Sequence, residues 1–276
     1  MKLRFKVPAY LILMMFGAIT TNELCAQNTA KTRGKTTPSA AELAKKLANP
    51  ISSLISVPLQ SNLDLGIGNY NGSKMVINLQ PVVPISISKN WNLITRWIVP
   101  IVSQHDINAE KTSEAGLGDA VISGFFSPKN TGITWGVGPV FLVPTATDEL
   151  LGTQKIGVGP SAVLLKQSNG WTVGGLINHL WSVAGKETRQ NVSSTFVNPF
   201  FAYNWKSGAG ITMNLEYTYD WENETNVFVC NFPYFTAVTK FGSQTVSFGI
   251  GPRLHFAPET HPDYGVRAQL TLVFPK

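Results

Sequence analysis

From about Ile51 to Phe274 the chain repeats one pattern, in which strand-like segments of alternating apolar and polar residues are joined by connections that are short and long by turns. The segment Ile211-Thr212-Met213-Asn214-Leu215-Glu216-Tyr217-Thr218-Tyr219 is the clearest, with apolar side chains on one parity and polar or acidic ones on the other. A period of two places successive side chains on opposite faces of a strand. In a water-soluble sheet the apolar face would cover a protein core. Here nearly the whole chain is of this kind, and nothing remains to pack against it. A barrel closed on itself, apolar outside and wet inside, satisfies both the backbone and the pattern. The expected fold is therefore all-β: a single antiparallel transmembrane β-barrel of about 12 strands with a short N-terminal helix.

The strand candidates fall at roughly 53–66, 74–88, 91–103, 118–127, 133–144, 156–167, 171–182, 195–205, 210–220, 227–240, 244–257 and 264–275. Connections at Lys89-Asn90, Pro128–Gly132, Ser168–Gly170, Lys206–Ala209 and Phe241–Ser243 are tight, whereas those between them are mostly longer and more charged. Tight turns on one side and long loops on the other are the outer-membrane arrangement, and an even strand count returns both chain ends to the tight-turn side. Trp91, Trp135, Trp171 and Trp205 stand near tight turns, and Trp181 and Trp221 near long loops. Two aromatic rims are expected where an amphipathic ring meets the membrane–water boundary.

The chain ends and the composition fit an exported barrel. Charged residues make up 14% of the 276 residues, well below the roughly one quarter of an ordinary soluble domain. Lys2, Arg4 and Lys6 precede an apolar run from Val7 to Ile19 and then Leu24-Cys25-Ala26, which reads as a secretory signal peptide over 1–26. Residues 27–50 read as a polar leader and one short helix that starts at a Ser39-x-x-Glu42 capping box and stops at Asn49-Pro50. The helix could cap the barrel mouth or plug its lumen. Residues 51–276 are expected to form the barrel. Signal removal would leave Cys230 alone, so no disulfide framework is expected. The net charge of +6 would fall to +4 on loss of Lys2, Arg4, Lys6 and Glu23, and it is spread over turns. That balance does not suggest a nucleic-acid partner.

The polar parity supplies the candidate lining: Arg96, Arg253, Arg267, Glu216, Asp119, Asn78, Gln80, Asn214, Gln269 and His255. An arginine facing lipid at mid-membrane costs roughly 2–4 kcal/mol, so Arg96, Arg253 and Arg267 are expected to point inward. There they could pair with Glu216, Asp119 or a carbonyl, or form a selectivity lining for a solute. No nucleophile elbow, HExxH spacing or Cys/His cluster occurs, so neither an enzyme, a metal nor a cofactor is expected. Strings such as Gly136-Val137-Gly138 and Gly157-Val158-Gly159 lie inside strands with no helix after them, which is not a phosphate loop.

Several strings together resemble a known family. They are Leu47-Ala48-Asn49-Pro50-Ile51-Ser52-Ser53-Leu54, Leu79-Gln80-Pro81-Val82-Val83-Pro84-Ile85, Trp91-Asn92-Leu93-Ile94-Thr95-Arg96 and Gly116-Leu117-Gly118-Asp119. To these add Phe126-Ser127-Pro128, Pro144-Thr145-Ala146-Thr147, Trp181-Ser182-Val183-Ala184-Gly185, Asn198-Pro199-Phe200 and the closing Phe274-Pro275-Lys276. The set resembles the transporter-like outer-membrane β-barrels named "MetA-pathway of phenol degradation", and the likeness spans most of the chain after the signal. The resemblance implies a bacterial outer-membrane pore or facilitated-diffusion transporter for small, often aromatic or apolar, solutes, with membrane lipid around it. The alternative expectation is a closed structural or adhesive barrel that binds a partner through its long loops.

Overall fold

The computed structural model describes residues 38–129, 131–256 and 262–274. The expected signal peptide, the leader to residue 37, His261 and the closing Pro275-Lys276 lie outside the described residues. One helix, α1 (Ala40–Leu47), precedes fourteen strands: β1 (Ile55–Ile67), β2 (Gly72–Leu79), β3 (Val82–Ser86), β4 (Trp91–His105), β5 (Ser113–Leu117), β6 (Ala120–Pro128) and β7 (Thr134–Val143). Then come β8 (Lys155–Ser168), β9 (Trp171–Gly185), β10 (Ser193–Asn204), β11 (Ala209–Asp220), β12 (Thr225–Phe241), β13 (Gln244–Phe256) and β14 (Tyr264–Phe274). All pairings are antiparallel, and β1 closes on β14 in an unbroken register from Ile55 opposite Phe274 to Leu65 opposite Tyr264. Closure leaves no free sheet edge.

Two pairs of these strands are halves of one stave, which reduces fourteen segments to a twelve-stranded barrel. The stave expected at 74–88 breaks between β2 and β3 at Gln80-Pro81, where proline has no N–H to give the ladder. The chain repairs the gap locally, since Gln80 N–H donates to the Pro58 carbonyl at 2.8 Å and Pro81 O accepts from Trp97 N–H at 3.1 Å. The second break lies at Gly118-Asp119, between β5 and β6. β5 occupies the segment expected to be the end of a loop, and it pairs with β4. Its other side meets a folded loop: Thr147 N–H donates to Leu117 O at 3.1 Å, and Leu117 N–H donates to Thr147 Oγ1 at 3.0 Å.

Burial follows the parity of the strands. Met75, Val83, Ile85, Ile101, Phe126, Val137, Phe141, Leu164, Ile177, Phe235, Ile250 and Phe274 stand exposed on the outer wall. Gln80, Gln104, Ser123, Ser161, Thr172, Asn231, Arg253, Arg267 and Thr271 are buried on the inner one. Across the outward parity of the described strands the one charged residue is Lys166, two positions before the end of β8 at a tight turn. Aromatic pairs mark both rims. Trp91 meets Trp135 edge-on at 5.8 Å, and Trp171, Tyr203 and Trp205 form a chain at the tight-turn end. At the long-loop end Trp181 meets His179 in a tilted contact and Trp221 meets Tyr219 edge-on. Trp97 stands apart from both rims, on the outer wall in mid-strand. Cys230 is partly buried on the outward parity and unbonded to sulfur.

The interior is not uniformly wet. Inward side chains of β3, β4, β6, β8, β9 and β10 form an apolar cluster of Val82, Ile94, Phe125, Val163, Leu165, Leu176 and Phe200, and Ile51 from the N-terminal segment completes it. Apolar residues occur on both faces of these strands, so alternation alone does not mark this part of the lumen. Burying Phe125, Ile94 and Leu165 fully contributes about 1.5–3 kcal/mol each.

Candidate functional site

The opposite side of the lumen, built from β1, β2 and β11–β14, is polar and ionic. Arg253 is its hub. Its Nε donates to Asp64 Oδ1 at 3.0 Å, and its Nη1 reaches Asn62 Oδ1 at 3.3 Å, Asn231 Oδ1 at 3.4 Å and Glu216 Oε2 at 3.5 Å. Arg267 donates from Nε to Asn62 Oδ1 at 2.7 Å and pairs with Glu216 Oε1 at 2.7 Å. His255 Nε2 lies 3.0 Å from Asp64 Oδ1. The network ties β11 and β13 to β1 and β14, so it pins the seam at which the barrel closes.

Backbone register explains how side chains two strands apart can meet. Gly265 of β14 lies directly between Asp64 of β1 and Arg253 of β13. A Cβ at Gly265 would collide with Asp64 Oδ1 and crowd Arg253 Cβ. Only the absent side chain lets the guanidinium cross to the carboxylate. A similar fit occurs one layer away, where the ring of Tyr234 lies over Gly249 and its hydroxyl occupies the space a Cβ would need.

Asparagines mend the wall from the inside. Pro199 has no N–H, and the side chain of the preceding Asn198 donates to Leu215 O of β11 at 2.6 Å. Asn231 Nδ2 donates to Asn214 O at 3.2 Å beside the register shift between β12 and β13. A carbonyl left unpaired in such a wall would cost about 1–3 kcal/mol.

The N-terminal segment closes the tight-turn mouth. α1 has the expected capping box: Glu42 N–H donates to Ser39 Oγ at 3.2 Å, and Ser39 N–H donates to Glu42 Oε2 at 2.8 Å. Leu43 is buried with Leu54 and Val273, with Leu47 and Val238 packed against them. Gln167 Nε2 of β8 donates to Lys45 O at 2.7 Å, satisfying one of the carbonyls the helix end leaves over. Above this floor lies a cavity of about 230 Å³, bordered by Leu47, Ala48, Asn49 and Pro50 and by the walls of the barrel.

The expected lining residues divide into groups. Arg96, Gln80, Asn214, Gln269 and Arg267 border the cavity. Glu216, Arg253 and His255 belong to the ionic network above, and Asn78 faces inward on β2 without bordering the cavity. Asp119 stands apart from both groups. It neither borders the cavity nor pairs with an arginine. It anchors the loop 144–154, accepting from Ala146 N–H at 3.2 Å and from both Thr153 N–H and Thr153 Oγ1 at 2.6 Å. Its carboxylate at the β5–β6 break is spent on two backbone N–H groups and a hydroxyl of that loop, far along the chain. Sequence reading missed Asn62 and Asp64, although the alternation of Gln60, Asn62 and Asp64 with Leu59, Leu63 and Leu65 places them on the wet face.

The long loops are themselves joined. Lys186 Nζ pairs with Glu149 Oε1 at 2.8 Å, and Arg189 Nη2 donates to Glu149 O at 3.0 Å and Gly152 O at 2.7 Å. The Lys186 hydrogen bond beside it holds the exposed Glu149 carboxyl below the usual carboxylate range.

No protein-family model matches the chain, and no curated protein is similar to it. Among solved structures, the barrel is similar to an outer-membrane channel from Pseudomonas putida F1, with a TM-score of 0.63 and 14% identity over 82% of this chain and 97% of that chain. A looser likeness, with a TM-score of 0.46 and 9% identity, covers 81% of this chain and all of the β domain of the Bordetella autotransporter BrkA. The likeness to the Pseudomonas structure shows a shared barrel fold.

Proposed function

We propose that this protein is a bacterial outer-membrane barrel, exported on its N-terminal signal, that passes small solutes through its lumen by diffusion and carries out no chemistry on them. The observation that carries the reading is the inside-out wall: an outer surface of exposed apolar side chains between two aromatic rims, around an inner surface that holds three arginines. Such a surface is stable in lipid and would aggregate in water. With the mouth closed the lumen keeps a cavity of about 230 Å³, below the few hundred Å³ of pockets for drug-sized ligands. The apolar half of the lumen supports solutes with apolar or aromatic parts, as the family resemblance implies. α1 and Ile51 close the tight-turn mouth in this state, so passage requires that segment to withdraw. Liposome swelling with sugars, amino acids and small aromatics tests the reading: size-limited entry is expected, and impermeability to every solute would overturn it.

The filled mouth and the tied loops favour a second reading, a closed barrel that binds a surface partner through residues 106–112, 144–154 and 186–192. Deleting 186–192 would then abolish partner binding while permeability stayed at its closed baseline.

A further inference from the structure

Several hydrogen-bond donors on residues that border the cavity are short of acceptors. Of the three lumenal guanidinium groups, Arg253 pairs with Asp64 and Glu216 and Arg267 with Glu216. Both carboxylates are used by Arg253 and Arg267. Arg96 has no carboxylate within 4 Å among the described residues, and its Nη2 donates to the amide oxygen of Gln80 at 2.9 Å. A guanidinium carries five N–H donors and one positive charge, which a single amide oxygen does not balance. Two further donors bordering the same space lack acceptors: the hydroxyl of Tyr234, a residue only 8% exposed, and Nδ2 of Asn204. Orphaned buried donors are rare and mark a place where an acceptor is missing.

The wall beside Arg96 is apolar. Val82 is its direct cross-strand partner, and Leu176 and Phe200 border the cavity from β9 and β10. The negative end of α1 faces the same space through Ala48 and Asn49. Its dipole amounts to about half a charge, less than the one guanidinium charge left over.

We infer that this cavity is a binding site for a small organic monocarboxylate. Its carboxylate is received by Arg96 and Arg267 with the Tyr234 hydroxyl, and its apolar part lies on Val82, Leu176 and Phe200. This rests on the lumen being the solute route, so binding and permeation are measured separately.

The test uses the full-length barrel in detergent micelles, titrated calorimetrically with hexanoate against hexylammonium and hexan-1-ol, with empty micelles as blank. Hexanoate is expected to bind saturably, and the other two are not expected to compete. Arg96→Gln should weaken hexanoate by about tenfold or more, the size of a charge-assisted hydrogen bond. Tyr234→Phe, which keeps the ring over Gly249, should weaken it several-fold and supplies the readout if Arg96→Gln does not fold. Equal binding of hexanoate and hexylammonium, or affinity unchanged in both variants, would overturn the site. In parallel liposome swelling, flux without hexanoate binding removes the site and leaves the pore. Binding without flux removes the pore and leaves the site.

Discussion

Replacing Glu216 by Gln should both loosen the barrel and unbalance its lumen. The carboxylate stands 2.7 Å from Arg267 and 3.5 Å from Arg253, whose side chains are 7% and 8% exposed, and is itself 23% exposed. At an effective dielectric near 20 the two attractions amount to about 6 and about 5 kcal/mol before desolvation is subtracted. Experience with enclosed pairs puts the cost of removing one partner at about 3–5 kcal/mol. Glutamine keeps an acceptor, and the lumen gives some access to water, so the expected loss is about 2–3 kcal/mol, at the lower edge of that range. Unfolding by guanidinium from lipid vesicles, followed by tryptophan fluorescence, reads it as a lower midpoint at unchanged slope. A double-mutant cycle with Arg267→Gln should give a coupling of at least about 1 kcal/mol, because the two groups share one bond. A stability within about 0.5 kcal/mol of the parent, or coupling near zero, would refute the account of the network, since surface pairs behave that way.

Three further outcomes follow from the same geometry. Gly265→Ala should destabilise the barrel by severing Arg253 from Asp64, and the added effect should shrink in an Asp64→Ala background, where only the crowding of Leu63 O and Arg253 Cβ is left, measured by the same unfolding assay. Leu164→Arg on the outer wall should cost about 2–4 kcal/mol, whereas Gln269→Arg on the lumen side should be tolerated, as heat-modifiable gel mobility would show. A depressed carboxyl contributes stability above its ordinary pKa and loses it only as pH falls through the lowered value. The Lys186–Glu149 link between loops should therefore survive mild acid and open below the usual carboxylate range, seen as protease cleavage within 144–154.

How far the alternation could be read depended on which side of the barrel a strand occupies. In β1, β2, β11, β13 and β14 one parity is polar, so their inward faces, including Arg253 and Arg267, were legible from the residues. In β6–β9 large apolar residues occur on both parities, and Phe125, Val140, Leu142, Val163 and Leu165 line the lumen with no clean period to announce them. The stave over 74–88 was legible, but its break at Pro81 needed the proline weighed against the ladder. α1 was recognisable from its cap. An amphipathic helix says that it docks, not where, and its seat against Leu54, Val238 and Val273 brings together residues far apart in sequence. Partner choice was similarly hidden. Asp64 reaches Arg253 only because Gly265 lies between them, whereas Asp119, equally acidic, is held by its own loop.

Planar-bilayer recording of the full-length chain and of a variant lacking Asn28 to Asn49 tests the central claim most directly. With α1 and the cap on the tight-turn mouth removed, the conductance should rise from a low, intermittently open level to a steady one. The reversal potential in a potassium hexanoate gradient should report preference for the anion. Near-baseline conductance that the deletion leaves unchanged would contradict the lumen as a solute route.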